Sequence, residues 1–175
     1  VEFAFTLKYQ LSKEDGHQSE LVERLMDTGC GDALIRHSPP GRLSLAFHRN
    51  AASADEALIG ALRDIRQSLP TARLIEAGPD LVGLTDVAEL VGVTRQNMRK
   101  LMLTHIASFP PPVHEGNASS VWHLSHVLSW MASRGGYLLN PSVVGMSRSA
   151  MQVNLIKEQQ HLDPLGEARL KALIF

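Results

Sequence analysis

Residues 83–102 read "GLTDVAELVGVTRQNMRKLM", a weakly charged segment that stops at a glycine and restarts with basic and amide side chains. The spacing predicts two short helices. Thr85 is placed to cap the first, in which Val87, Ala88 and Val91 share a face, and Gly92 permits the left-handed or tight turn that ends it. Val93 fills the corner, Thr94 caps the second helix, and Met98 and Leu101 return to the same core. Helices that cross through so short a turn need a small side chain where they approach, and Ala88 supplies it. Large, small, glycine and apolar positions fall where a helix-turn-helix requires them.

The second helix then turns Arg95, Gln96, Asn97, Arg99 and Lys100 away from the core. These types suit DNA, because arginine pairs bidentately with guanine, glutamine and asparagine pair with adenine, and the remaining cations meet phosphate. A surface hairpin of two helices with a merely solvated face is the competing reading of this stretch alone. The residues behind it bear on the choice. "FPPPVHEGNASSVWHL" offers a rigid proline approach, a short strand "PVHE", a Gly116-Asn117 turn and a return strand "SVWHL", a hairpin of the kind that forms a wing. Ser125 then caps "SHVLSWMASRGG", whose Val127, Leu128 and Met131 pack beneath the hairpin and whose Gly135 and Gly136 end the helix.

Helix, turn, helix, wing, helix is a winged-helix plan. With "LTDVAELVGVTRQNMRKLM", the "FPPPV" approach, the Trp122 strand and the "HVLSWM" helix, about residues 81–134 resemble the excisionase-like and AlpA-like branch of MerR-type DNA-binding domains. The resemblance implies a second helix that enters the major groove and a wing that touches backbone or minor groove. Carried over, the implied contacts are Thr94, Arg95, Gln96, Asn97, Arg99 and Lys100, with His114 and Asn117 from the wing. The chain also departs from that pattern. The wing has no Arg or Lys, the long helical dimerisation arm of effector-responsive MerR proteins is missing, and a further module precedes the domain.

That module occupies residues 1–78. In "EFAFTLKYQL" Phe3, Phe5, Leu7, Tyr9 and Leu11 alternate with polar or small residues, the period of a strand buried on one face. "HQSELVERLMDTG" reads as a helix with Leu21, Val22, Leu25 and Met26 on one stripe. "DALIRHSPPGRLSLAFHRN" reads as two strands joined at Pro39-Pro40-Gly41, "SADEALIGALRDIRQSL" as a helix capped by Ser53, and "TARLIEA" as a last strand. The order βαββαβ is that of the ferredoxin-like plan, with two helices on one face of a four-stranded sheet. The open face would carry Ala4, Thr6, Lys8, Ser44, Ala46 and His48, suited to sheet-to-sheet dimerisation or a modest ligand site. RNA stacking is disfavoured, since Phe3, Phe5 and Phe47 alternate onto the other face.

The fold class expected is therefore α+β, with a dimerisation or sensing module at 1–78, a winged helix-turn-helix at 79–139 and a helical tail at 140–175. "GPDLVGL" is the joint between the first two. The tail reads as two short helices broken near Asp163-Pro164, with Met151, Leu155, Leu162, Leu165, Leu170 and Leu173 apolar. It can pack on its own protomer or serve as a dimerisation arm, and the second is favoured.

The chain has 175 residues, 44 % of them hydrophobic and 20 % charged, enough to bury a core, and a formal net charge of -1. That balance excludes a polycation that coats nucleic acid indiscriminately. Residues 1–78 carry nine Lys/Arg against eleven Asp/Glu and residues 79–139 carry four of each, so the positive charge at 95–100 is local. No apolar run is long enough to span a bilayer and the start has no leader-like pattern, so a cytoplasmic protein is expected. Cys30 is the single cysteine, which excludes an internal disulfide; with no basic neighbour or resolving thiol it reads as inert rather than redox-active. His123 and His126 read as capping or solvent-facing rather than zinc-binding, and Trp122 and Trp130 as core. No phosphate loop, dinucleotide fingerprint or nucleophile elbow is present, "VVGMSRS" included, so neither an enzyme nor a cofactor is expected.

Together these readings predict a sequence-specific regulator of transcription that binds double-stranded DNA. It is expected to be a homodimeric repressor or autoregulator on a palindromic operator, with the N-terminal module a candidate site for a small-molecule or protein effector. The alternative from another class is a protein-interaction or small-ligand module that uses the helix-turn-helix as a docking surface.

Overall fold

The computed structural model describes residues 1–37 and 39–175. Among them the chain is α+β, with seven α-helices and two antiparallel sheets. The first sheet takes β1 (Glu2–Gln10), β2 (Ala33–Arg36), β3 (Arg42–Asn50) and β4 (Arg73–Gly78) in the order β2-β3-β1-β4. Helices α1 (Gln18–Asp27) and α2 (Ala54–Ser68) follow β1 and β3 in the chain. The period-two pattern has its physical outcome here. Phe3, Phe5, Leu7 and Tyr9 of β1 and Leu43, Leu45 and Phe47 of β3 are buried in one core with Leu21, Leu25, Leu58 and Ile65 from the helices. Each such side chain taken fully from water stabilises the fold by about 2 kcal/mol. Phe5 stacks on Phe47 at 5.0 Å between ring centroids, as cross-strand partners in register.

Ser53 caps α2, its side chain accepting the Glu56 N–H at 3.1 Å. Met26 departs from the expected stripe of α1: it is 47 % exposed, whereas Leu21 and Leu25 alone of that helix are buried. The core-facing arc of so short a helix accommodates the i, i+4 pair, and Met26 falls beyond it. Arg49 lies in β3 on the helix side. Its guanidinium meets Asp32 at 2.7 and 2.9 Å and Asp64 at 2.9 Å, and donates to the Gly29 carbonyl at 2.8 Å, so one cation ties β3 to α2 and to the loop after α1.

The second sheet is built from β5 (Leu81–Val82), β7 (Ser120–His123) and β6 (His114–Glu115), in that order. Around it lie α3 (Leu84–Val91), α4 (Arg95–Thr104) and α5 (Leu124–Arg134). Strand β5 falls within the stretch expected to be only a joint, and the outer wing strand is shorter than expected. Two caps also differ from expectation. Helix α3 begins at Leu84, because the Asp86 carboxylate reaches back to accept the Gly83 N–H at 2.9 Å, so Thr85 lies inside the helix. Helix α5 begins at Leu124, whose N–H donates to the Asp80 carbonyl at 2.7 Å, and Ser125 is buried in its first turn.

Helix α6 (Pro141–Gln159) is wedged between the two cores. Met146 and Ala150 enter the core of the first sheet, while Val143 and Val144 pack against that of the second. Ser149 bonds Asp55 of α2 at 2.5 Å and Lys157 donates to the Ile75 carbonyl of β4 at 2.6 Å. Helix α7 (Pro164–Ile174) buries none of its residues; Leu165, Leu170 and Leu173 are all exposed, as are Leu155 and Leu162 before them. No helix of the described residues is long and apolar enough to cross a membrane.

Candidate nucleic-acid interface

Helices α3 and α4 are positioned by the turn between them. Gly92 has φ 74°, a left-handed conformation that a side chain disfavours, and the Val93 N–H closes back on the Ala88 carbonyl at 3.0 Å. Thr94 caps α4, its hydroxyl accepting the Asn97 N–H at 3.1 Å. Met98 is the anchor, wholly buried in the second core, which also holds Val87, Ala88, Leu124 and Val127. With that face committed inward, Thr94, Arg95, Gln96, Asn97, Arg99 and Lys100 all stand exposed. None of these side chains is ion-paired to another described residue, and α4 has no acid in its first turn. The charge is thus free to meet an anion.

At about 100° per residue, Arg95, Gln96, Arg99 and Lys100 share one arc of roughly 140°. Arg95 with Arg99, and Gln96 with Lys100, are one helical turn apart and lie side by side. Asn97 lies about 60° further round, toward the half-buried Leu101, at the margin of the arc. The geometry therefore collects four of the expected residues tightly, keeps Asn97 at the edge, and gives the Thr94 hydroxyl a structural duty as a cap.

His114 and Asn117 are exposed on the β6–β7 hairpin, where His114 pairs with Val121 and Glu115 with Ser120. The loop between the strands is tight enough that a Cβ on Gly116 would meet the Ser119 carbonyl oxygen at 2.4 Å, so glycine alone fits there. The β6–β7 hairpin is fixed by aromatic packing. Phe109 meets Trp122 edge-on at 6.2 Å and Trp130 at 5.0 Å, the Trp122 indole donates to the Pro110 carbonyl at 2.9 Å, and Arg134 covers the outer face of Trp130. The proline approach, a rigid backbone with free carbonyls, is what the indole grips.

Asp80, His123 and Asn154 form a cluster that sequence reasoning missed. The Asp80 carboxylate, 2 % exposed as a residue, accepts from Asn154 Nδ2 at 2.7 Å and from His123 Nδ1 at 2.6 Å. Asn154 in turn accepts the Ala77 N–H and donates to the Ala77 carbonyl, both at 2.8 Å. Four polar groups from β4, the joint, β7 and α6 are thereby satisfied by one another. The partners are separated by 43 and 74 residues, so no local spacing signals them. The His123 and His126 rings approach to 5.2 Å, and among the described residues no group of three or more His, Cys, Asp or Glu is placed to hold a metal ion.

Cys30 is buried, and loss of solvent, reinforced by the Asp64 carboxylate, pushes its thiol up to about 11. It stays protonated and sheltered at neutral pH.

No curated protein and no solved structure matches the chain. One family model does: residues 80–135, which span β5 to α5, match the family described as Prophage CP4-57 regulatory protein (AlpA).

Proposed function

We propose that the protein is a sequence-specific, double-stranded-DNA-binding regulator of transcription, acting in the cytoplasm as a dimeric repressor or autoregulator and without enzymatic activity. The observation that carries this reading is α4: a capped helix, anchored through Met98, that presents Arg95, Gln96, Arg99 and Lys100 on one exposed arc within the segment similar to a prophage regulatory protein. Arginine and amide side chains at those positions can pair with base edges, and the remaining cations with phosphates. In this reading residues 79–139 are a MerR-type winged helix-turn-helix, with His114 and Asn117 of the wing meeting the DNA backbone or minor groove.

The strand order β2-β3-β1-β4 supports a ferredoxin-like reading of residues 1–78. We assign that module to sensing. Its open face and the joint enclose a groove of about 400 Å³ lined by Thr6, Lys8, Ala46, His48, Glu76 and Pro79, a fitting place for an effector to act on the DNA-binding segment. Dimerisation falls to the tail, where α7 exposes Leu165, Leu170, Leu173 and Ile174, since an isolated helix of this length is marginal in water without a partner. A two-fold dimer would read a palindrome with half-sites spaced by about one helical turn or a multiple of it. Selection of bound fragments from random duplex DNA tests the reading: recovery of a palindromic consensus supports it, and recovery of no enriched sequence contradicts it.

A further inference from the structure

A second group of cations lies outside the reading helix. On the open face of the first sheet, register places Arg42 of β3 and Arg73 of β4 on either side of Gln10 of β1, in one row across the sheet. The next row along carries Arg36 opposite Ser44, and Ser44 opposite Lys8. Side chains that are direct partners across antiparallel strands point to the same face, so these four cations share it. All four are exposed. Lys8 is neutralised by Glu76 at 2.9 Å, whereas Arg36, Arg42 and Arg73 form no side-chain hydrogen bond or ion pair with another described residue. Strand spacing sets Arg42 and Arg73 about 10 Å apart, with Arg36 within a similar distance of Arg42.

Residues 1–78 are acidic as a whole, with eleven Asp/Glu against nine Lys/Arg, so this concentration of unpaired arginine runs against the local balance. Helices α1 and α2 carry Glu20, Glu23, Asp27, Asp55, Glu56 and Asp64 against Arg24, Arg63 and Arg66. Exposed arginine held on a rigid strand, unpaired and in a planar array, matches a polyanionic backbone. The β6–β7 hairpin offers no Lys or Arg, so residues 79–139 have the three cations of α4 and Arg134, which lies over the Trp130 ring, to meet phosphate near the bases.

We propose that Arg36, Arg42 and Arg73 form a second phosphate-binding surface, which engages DNA backbone outside the base pairs read by α4. The inference rests on the DNA-binding reading above. The two arginines flanking Gln10 clamp the backbone from both sides and Arg36 extends the track by one row. Because phosphate contact is independent of sequence, no operator is needed to test it.

The test measures binding of the full chain to a random-sequence duplex of about 40 base pairs, roughly four helical turns, as salt is raised. Each phosphate contact contributes about 0.9 to the slope of log affinity against log salt, so Arg42→Gln with Arg73→Gln is expected to lower that slope by about 1.8. Arg42→Lys with Arg73→Lys retains the charge and is expected to restore most of it. Arg63→Gln with Arg66→Gln, which removes the same charge from α2, is expected to leave the slope unchanged. An unaltered slope in the first variant, while Arg95→Ala with Arg99→Ala weakens binding, overturns the second surface and leaves the reading helix standing. Equal losses from the α2 pair overturn it as well, as a mere effect of net charge. Salt-insensitive binding by the wild type overturns the DNA reading itself, and the inference with it.

Discussion

Residues 1–78, the body, and residues 79–139, the head, reach order by different routes. In the body, β1 and β3 are nine residues each and pair along their whole length, and their inward faces carry a large aliphatic and aromatic core. In the head, β5 and β6 are two residues each. Strands that short contribute little of their own, and the head is instead held by Met98, by the aromatic trio behind the wing, and by contacts from α6 and the joint. A small unit with short strands can owe part of its geometry to contacts supplied from outside its own segment, here Asn154, Val143 and Val144 of α6.

The largest effect is expected in the body: Leu45→Ala empties a fully buried position and is expected to cost about 4 kcal/mol in chemical denaturation, for the lost transfer energy plus a cavity. Asp80→Ala strikes the link between the two regions. It leaves His123 and Asn154 short of an acceptor and is expected to cost about 3 kcal/mol, with hydrogen exchange rising in β7 and α6 together. If exchange rises in β7 alone, the joint is not shared as described. Thr94→Ala is a smaller and local change, expected to cost about 1 kcal/mol through loss of the cap on α4, with the body unmoved.

Cys30 provides a check by pH. Its pKa is raised from 9.0 to about 11 in the folded chain, so the native state holds the thiol proton more tightly than the unfolded chain does. The stability this represents is present below pH 9 and is lost as pH rises toward 11. Replacing the thiol by Cys30→Ala is expected to lessen the fall in stability across that window, the buried Tyr9 hydroxyl, also raised, keeping part of it, and at pH 8 the native thiol is expected to resist alkylation until the chain unfolds.

Much of the body was legible because alternation and cap chemistry are local. Phe3 to Tyr9 announce a one-sided strand, and Ser53 with Asp55 and Glu56 announce the start of α2. The helix-turn-helix was legible for the same reason, since Gly92, Thr94 and Met98 lie within one turn and one helix. What escaped was non-local. "DLV" after Gly78-Pro79 looks like a linker, and only pairing with His123 and Trp122, some 40 residues on, makes Leu81 and Val82 a strand. Thr85 reads as a cap until Asp86 is seen to reach back to Gly83. Helix α6 shows no single apolar stripe because it is buried on two sides, with Val143 and Val144 given to one core and Met146 and Ala150 to the other. Arg36, Arg42 and Arg73 are far apart in the chain and become neighbours only through sheet register.

The proposed reading of DNA by α4 is tested most directly by duplex binding of Arg95→Ala with Arg99→Ala against a sequence selected by the wild-type chain. A loss of about 1–3 kcal/mol of binding is expected for each arginine that pairs with a base, with relaxed specificity at the positions it contacts and an unchanged melting temperature. Wild-type affinity and specificity in the folded double variant would contradict it.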